Sequence, residues 1–180
     1  TGMNLRTGEA VIIRGGTYAQ ELLEEIGILC YKKGALPLIT ATSDDYSVRI
    51  YEEVSTEVLE VTPKHYLEAV KACDAHIVVE PFRDPRIPTK FPREKVAART
   101  KANVPVRKVL YGEDEGTGKK WTYAGWPTPE AASFYGIDYR DLERLVIGGM
   151  TVPASTLREN TSRLAERLKG TNMLHVTDKK

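Results

Sequence analysis

The three histidines of this 180-residue chain are the side chains best suited to proton transfer or metal binding. They are His65, His76 and His175. None stands beside another histidine, a cysteine or a carboxylate at the spacing of a metal site. No Gly-x-Ser-x-Gly motif marks a nucleophilic serine. Cys30 and Cys73 lie in apolar helical segments, without a cation nearby to lower the thiol pKa. We therefore predict no catalytic, cofactor-binding or metal-binding residue in this chain.

A pair of glycines, Gly15 and Gly16, separates an apolar run from a helical pattern that Thr17 could cap. A phosphate or carboxylate could bind at such a strand-to-helix turn. However, the spacing matches neither the dinucleotide nor the phosphate-loop motif. Asp44 and Asp45 follow the second apolar run, where a ribose-binding acid would stand, and acids at a helix start account for them as well. The pattern favours a tight turn, and an anion-binding or nucleotide-binding module remains the alternative.

Basic residues are concentrated in one proline-rich stretch and the helical segment after it. They are Arg83, Arg86, Lys90, Arg93, Lys95, Arg99 and Lys101. Prolines rather than aromatic residues separate them, which favours a solvated face or a domain interface over an anion site. The net charge of the chain is only +1, so neither nucleic acid nor an acidic membrane is an expected partner.

Three aromatic residues, Trp121, Tyr123 and Trp126, lie in and just after an alternating segment. They could form a recognition patch. At strand spacing, Trp121 and Tyr123 point to one face and Trp126 to the other. We expect these rings to pack in the core.

Composition describes an ordinary globular protein, with 41% hydrophobic and 28% charged residues. Glutamate and lysine are frequent and only 2 residues are cysteine, which suggests a heat-adapted source. Two free thiols fit a reducing, cytoplasmic location. No apolar run is long enough to cross a bilayer, and no charged-then-apolar leader opens the sequence.

Strand and helix patterns alternate along the chain. Strands are predicted at residues 9–14, 36–42, 76–80 and 119–126, and helices at 18–33, 44–54, 63–73, 93–102, 128–134, 138–146 and 153–168. Loops are predicted at 83–92 and 111–120, and a last strand after residue 171. This order predicts an α/β fold of three layers, with a mostly parallel sheet and helices on both faces.

Seven segments occur in an order seen in a known family. They are residues 8–13, 29–35, 44–49, 77–81, 121–128, 131–137 and 165–177. Together they resemble the N-terminal domain of the thermophilic metallo-aminopeptidases of the aminopeptidase T and aminopeptidase S type, which are leucyl aminopeptidase-like. The matched positions are mostly turn glycines, strand residues and the Trp-Pro-Thr step at 126–128.

The resemblance implies that residues 1–180 are one α/β domain, the N-terminal domain of a longer two-domain protein. Residues 153–180 would be the linker helix and strand that lead to the catalytic domain. That second domain would hold two divalent metal ions, zinc or cobalt, and no residue of this chain matches their ligands. The parent would be a homodimer that removes N-terminal residues from peptides, and its N-terminal domain would be non-catalytic.

Two alternatives stay open at this point. A relative with the same architecture is an iron-dependent, ring-cleaving dioxygenase, so the parent could belong to that class. The chain could also be a stand-alone anion-binding or nucleotide-binding module that uses Gly15, Gly16 and Thr17. In an aminopeptidase parent, Asp45, Arg49 and Trp126 are the positions of interest along the substrate path.

Overall fold

A computed structural model describes residues 3–113 and 117–178. The described part contains a four-stranded sheet in which every neighbouring pair is parallel. Its strands are β1 (Ala10–Gly16), β2 (Leu36–Thr42), β3 (Ala75–Val79) and β4 (Lys120–Ala124), in the order β2-β1-β3-β4. The predicted parallel α/β sheet is therefore confirmed.

Helices connect and follow these strands. They are α1 (Gln20–Lys32), α2 (Asp44–Glu53), α3 (Thr56–Leu59), α4 (Lys64–Ala72), α5 (Arg93–Ala102), α6 (Val104–Tyr111), α7 (Pro129–Tyr135), α8 (Tyr139–Met150) and α9 (Ala154–Leu168). Two short 3-10 helices span Thr17–Ala19 and Ile87–Lys90. None of the helices in the described ranges is long and apolar enough to cross a bilayer.

Successive residues of β1 point to opposite faces of the sheet and enter two separate cores. Val11 and Ile13 pack with Leu23 of α1 on one face. Ile12 packs on the other face, in a cluster that α4 and α6 complete. Helices thus cover both faces, which confirms the three-layer arrangement and explains why β1 is apolar at consecutive positions.

Each core contains one of the two cysteines. Cys30 packs in the cluster on the α1 side and Cys73 in the cluster on the α4 side. Both are buried free thiols, as the sequence indicates, and burial raises the pKa of each. Neither thiol is therefore activated as a nucleophile.

Gly34 and Ser43 set the end of α1 and the start of α2. Gly34 ends the turn after α1 with a φ of +77°, and a Cβ there would lie 3.0 Å from the Thr7 side chain. The Ser43 hydroxyl accepts a hydrogen bond from the Tyr46 N–H and so caps α2.

Several local predictions differ from the structure. Thr17 makes no capping bond, because the chain first forms a 3-10 turn and α1 begins at Gln20. Helices α3 and α6 were not predicted. The first is 4 residues long, and the second is 8 residues long with Pro105 in its first turn, so neither shows a full helical period.

The predicted strand after residue 171 is wrong for the described part of the chain. Residues 172–178 have no regular secondary structure and pair with none of the four described strands. Part of the predicted loop at 111–120, residues 114–116, lies outside the described residues.

Candidate functional site

The carboxyl ends of the parallel strands are the natural place to look for a site. In open α/β sheets, ligands bind beyond these ends where the strand order reverses. Here the reversal falls between β1 and β3, because β2 lies on the far side of β1. The residues that follow the strand ends are therefore expected to line the crevice.

The crevice between β1 and β3 is filled by Tyr18. Its hydroxyl donates a hydrogen bond of 2.9 Å to the Glu80 carbonyl. A Cβ on Gly16 would lie 2.5 Å from the Tyr18 ring and 2.6 Å from the Pro81 carbonyl oxygen. Burial, then the charges of Glu80 and Asp44, raise the pKa of the Tyr18 phenol, which stays protonated. Gly16 therefore leaves room for the Tyr18 ring and the Pro81 carbonyl, in agreement with the predicted tight turn.

Asp44, at the start of α2, binds the loop that follows β3. Its carboxylate accepts hydrogen bonds from the Arg83 and Asp84 N–H groups at 3.1 and 3.2 Å. This bonding ties the start of α2 to the loop after β3. Asp45 is exposed, and Arg49 pairs with Glu53 at 2.7 Å along exposed α2. Neither Asp45 nor Arg49 therefore joins the crevice.

The loop after β3 is held to α7 by two arginines of the basic stretch. The Arg83 Nε lies 3.0 Å from the Glu130 carboxylate, and an Arg86 Nη donates to the Glu130 carbonyl at 3.1 Å. The Thr128 hydroxyl donates to the Arg83 carbonyl at 2.7 Å and accepts from the Ala131 N–H at 3.0 Å. The Arg83 and Arg86 side chains therefore make structural contacts within the chain.

The aromatic residues of β4 are not core residues, contrary to the sequence-based expectation. Trp121 is 55% exposed and Tyr123 is 51% exposed. The reason is position: β4 is an edge strand of the described sheet, so only one of its sides has a neighbouring strand. Trp126 alone behaves as expected and packs against the core on the α1 side.

Tyr123 and Glu80 form a further polar contact among the residues that follow the carboxyl ends of the strands. The Tyr123 hydroxyl donates to the Glu80 carboxylate. Burial, then that hydrogen bond, raise the pKa of the Tyr123 phenol. Sequence reasoning missed Tyr18 and Glu80. Their position in the sequence could have identified them, because each follows the carboxyl end of a strand.

The histidines do not form a metal centre. His76 is 2% exposed, and neither ring nitrogen has a hydrogen-bond partner among the described residues. Burial, then the charge of Arg14, lower the His76 pKa to about 4. His65 and His175 are exposed. Across residues 3–113 and 117–178, no group of three or more His, Cys, Asp or Glu side chains is arranged to hold a metal ion. The residues present do not fit a two-metal site.

The carboxyl edge is thus a closed network of ion pairs and hydrogen bonds. It joins the Tyr123 phenol to the Glu80 carboxylate and the Tyr18 phenol to the Glu80 carbonyl. Such an arrangement can fix loops and present a surface.

The fold and its sequence match known proteins. Residues 1–146 match the family described as thermophilic metalloprotease (M29). The solved structure of wild-type AmpT from Thermus thermophilus aligns with a TM-score of 0.57 at 21% identity, over 81% of this chain and 38% of that one. This likeness shows a shared fold, and the chain spans well under half the length of AmpT. No curated protein sequence matches the chain. The match over residues 1–146 shows that the chain belongs to the M29 family of thermophilic metalloproteases.

Proposed function

We propose that this chain is a non-catalytic domain of a metal-dependent aminopeptidase. The parent enzyme removes N-terminal residues from peptides. The observation that supports this function is the M29 match over residues 1–146. The span of 38% of AmpT agrees with a domain that is smaller than the whole enzyme. A peptidase family also favours a hydrolase over a ring-cleaving dioxygenase as the parent.

We assign the two metal ions to sequence outside this domain. The donor set supports this assignment, because His65 and His175 are exposed and His76 lies alone in an apolar core. Metal ions in such a family activate a water molecule and polarise the scissile carbonyl. The partners of the domain would be the catalytic domain of the parent, a second subunit and the peptide substrate.

Helix α9 supports a linking role for residues 153–180. It is 15 residues long and has no buried residue. A solitary helix of that length is marginally stable in water, so a covering surface would stabilise it. We assign that surface to the catalytic domain, in a cytoplasmic parent whose thiols stay reduced.

Calorimetric titration of the 180-residue chain with zinc and with cobalt at neutral pH tests the metal assignment. We expect no binding tighter than about millimolar. Micromolar binding at one or two sites would overturn it. A parallel assay measures hydrolysis of leucyl-p-nitroanilide with added cobalt. The full-length gene product should hydrolyse it and the 180-residue chain should not. Inactivity of the full-length product would count against the aminopeptidase.

A further inference from the structure

Two adjacent glycines, Gly148 and Gly149, lie in the last turn of α8. A Cβ added to either glycine would meet no atom within 4 Å, so neither is needed for close packing. Neither has a positive φ, so neither is needed for a left-handed turn. Glycine makes a helix less stable than alanine does, because its backbone has more freedom to lose. The pair therefore weakens the end of α8 and supports no packing or turn in return.

Helix α8 is packed against the domain only before these glycines. Leu142 is buried in a cluster with two alanines of α7, and Val146 packs against the same cluster. Residues 148–151 are exposed. The part of α8 that tertiary contacts hold in place therefore ends just before the glycine pair, and the last turn of the helix has only its own backbone bonds to keep it straight.

Helix α9, which follows, makes its polar contacts within itself. Arg163 pairs with Glu159 at 3.1 Å, and the Thr161 hydroxyl donates to the Leu157 carbonyl at 2.7 Å. The helix has no buried residue. Within the described ranges, no hydrogen bond or ion pair joins residues 154–168 to the sheet or to the helices that cover it. The direction of α9 relative to the sheet is therefore set by the connection between α8 and α9.

Within that connection, the glycine turn is the part that can bend most easily. The Thr151 hydroxyl and N–H both donate to the Ile147 carbonyl, at 2.8 and 3.0 Å, and so close the turn across the two glycines. Thr151 is exposed, so water can replace these bonds when the turn opens. Further along, Pro153 fixes its own φ and favours an extended Val152, which stiffens the entry to α9.

We propose that Gly148 and Gly149 form a hinge about which α9 takes more than one direction relative to the sheet. The turn at the glycines opens and closes, while α8 up to Val146 stays packed on α7. Helix α9 then moves as an arm, and its direction is chosen by whatever surface it contacts rather than by the α/β domain. The hinge requires neither a metal ion nor catalysis, so it stands independently of the proposed peptidase.

Spin labels on either side of the glycines test the proposal in the 180-residue chain. Arg140→Cys in α8 and Glu166→Cys in α9 replace exposed residues, and the native thiols, Cys30 and Cys73, are buried from the labelling reagent. Double electron–electron resonance measures the distribution of distances between two labels. We expect this distribution to be about twofold broader than that between Glu25→Cys in α1 and Arg140→Cys, a pair on one side of the hinge. Equal widths for the two pairs would overturn the proposal.

Alanine at both glycines tests whether they are the hinge. Gly148→Ala combined with Gly149→Ala adds two methyl groups in open space and favours a continuous helix. We expect the distance distribution across the hinge to narrow about twofold in this double-alanine variant, to the width of the pair on one side. An unchanged width would overturn the proposal, because the freedom would then come from residues 151–153 or from unwinding of α9 itself.

Gly125→Ala is the matched control for the double-alanine variant. Gly125 also has open space around an added Cβ and no positive φ, but it lies outside α8 and α9. This substitution should leave the distances across the hinge unchanged, and an equal narrowing there would overturn the proposal. Circular dichroism checks that each variant is folded. If the double-alanine variant does not fold, the comparison of the two label pairs in the chain that keeps both glycines decides the outcome.

Discussion

Helices α1 and α9 have similar amphipathic patterns and opposite surroundings. Helix α1 covers one face of the sheet and buries Leu23, Gly27 and Cys30. Helix α9 buries nothing, and its Leu157 and Leu164 are more than half exposed. An amphipathic pattern therefore identifies the face that a helix can bury, but not the surface that covers it. The stability of the two regions should differ accordingly.

The largest expected difference comes from truncating one leucine in each helix. Leu23→Ala should lower the free energy of unfolding by about 3 kcal/mol, because Leu23 is fully buried and its loss leaves a cavity. Leu164→Ala should change it by less than about 0.5 kcal/mol, because Leu164 is exposed. Urea denaturation followed by circular dichroism measures both. A comparable loss from Leu164→Ala would mean that α9 is packed in solution, and the comparison would fail.

A pair of glycine substitutions tests the same contrast through close packing. In Gly16→Ala the new methyl group would lie 2.5 Å from the Tyr18 ring, so we expect a loss of about 2–3 kcal/mol in the free energy of unfolding. Gly149→Ala lies in α8, where the added Cβ meets no atom within 4 Å. That variant should gain about 0.5–1 kcal/mol from a better helix propensity. Thermal denaturation should separate the two variants, and equal melting temperatures would contradict the close packing at Gly16.

The same contrast explains what the sequence could predict. Strands β1 and β2 and helix α1 were located well, because each shows an apolar pattern between glycine and serine residues. The exposure of Trp121 and Tyr123 was not predicted. Alternation in β4 identifies two faces of the strand but does not show which face is covered.

The polar contacts at the carboxyl ends of the strands could not be predicted from the sequence, for a different reason. Tyr18, Asp44 and Glu80 are separated by 26 and more residues and meet only once the strands are ordered β2-β1-β3. A single sequence contains no signal for that order. Only the rule that parallel strands end at one edge could have directed attention to the residues after each strand.

Acid should destabilise the sheet core through His76. The unfolded-state pKa is near 6.5 and the folded-state pKa is about 4, so the unfolded chain binds the proton more readily between these values. Stability is therefore full above pH 6.5 and falls as the pH drops towards 4. The shift corresponds to about 3 kcal/mol, and with water screening part of the charge we expect about 2 kcal/mol.

Urea denaturation at pH 7.5 and pH 4.5 measures this loss in the unmodified chain and in His76→Leu. Leucine has a similar volume and no proton to bind, so the variant should lose about 2 kcal/mol less on acidification. His65→Leu is the matched control, because His65 is exposed and should leave the pH dependence unchanged. An identical pH dependence of His76→Leu and the unmodified chain would show that the ring is solvated.

A smaller loss than those at Leu23, Gly16 and His76 should arise at Thr128, which joins the loop after β3 to α7. Its hydroxyl caps α7 through the Ala131 N–H and donates to the Arg83 carbonyl, while the residue is 4% exposed. Thr128→Ala leaves both groups without this partner and should cost about 1–2 kcal/mol. Thr128→Ser keeps the hydroxyl and should lose less than half as much. If serine and alanine lower the urea midpoint equally, packing of the threonine methyl group, rather than the hydrogen bonds, joins α7 to the loop after β3.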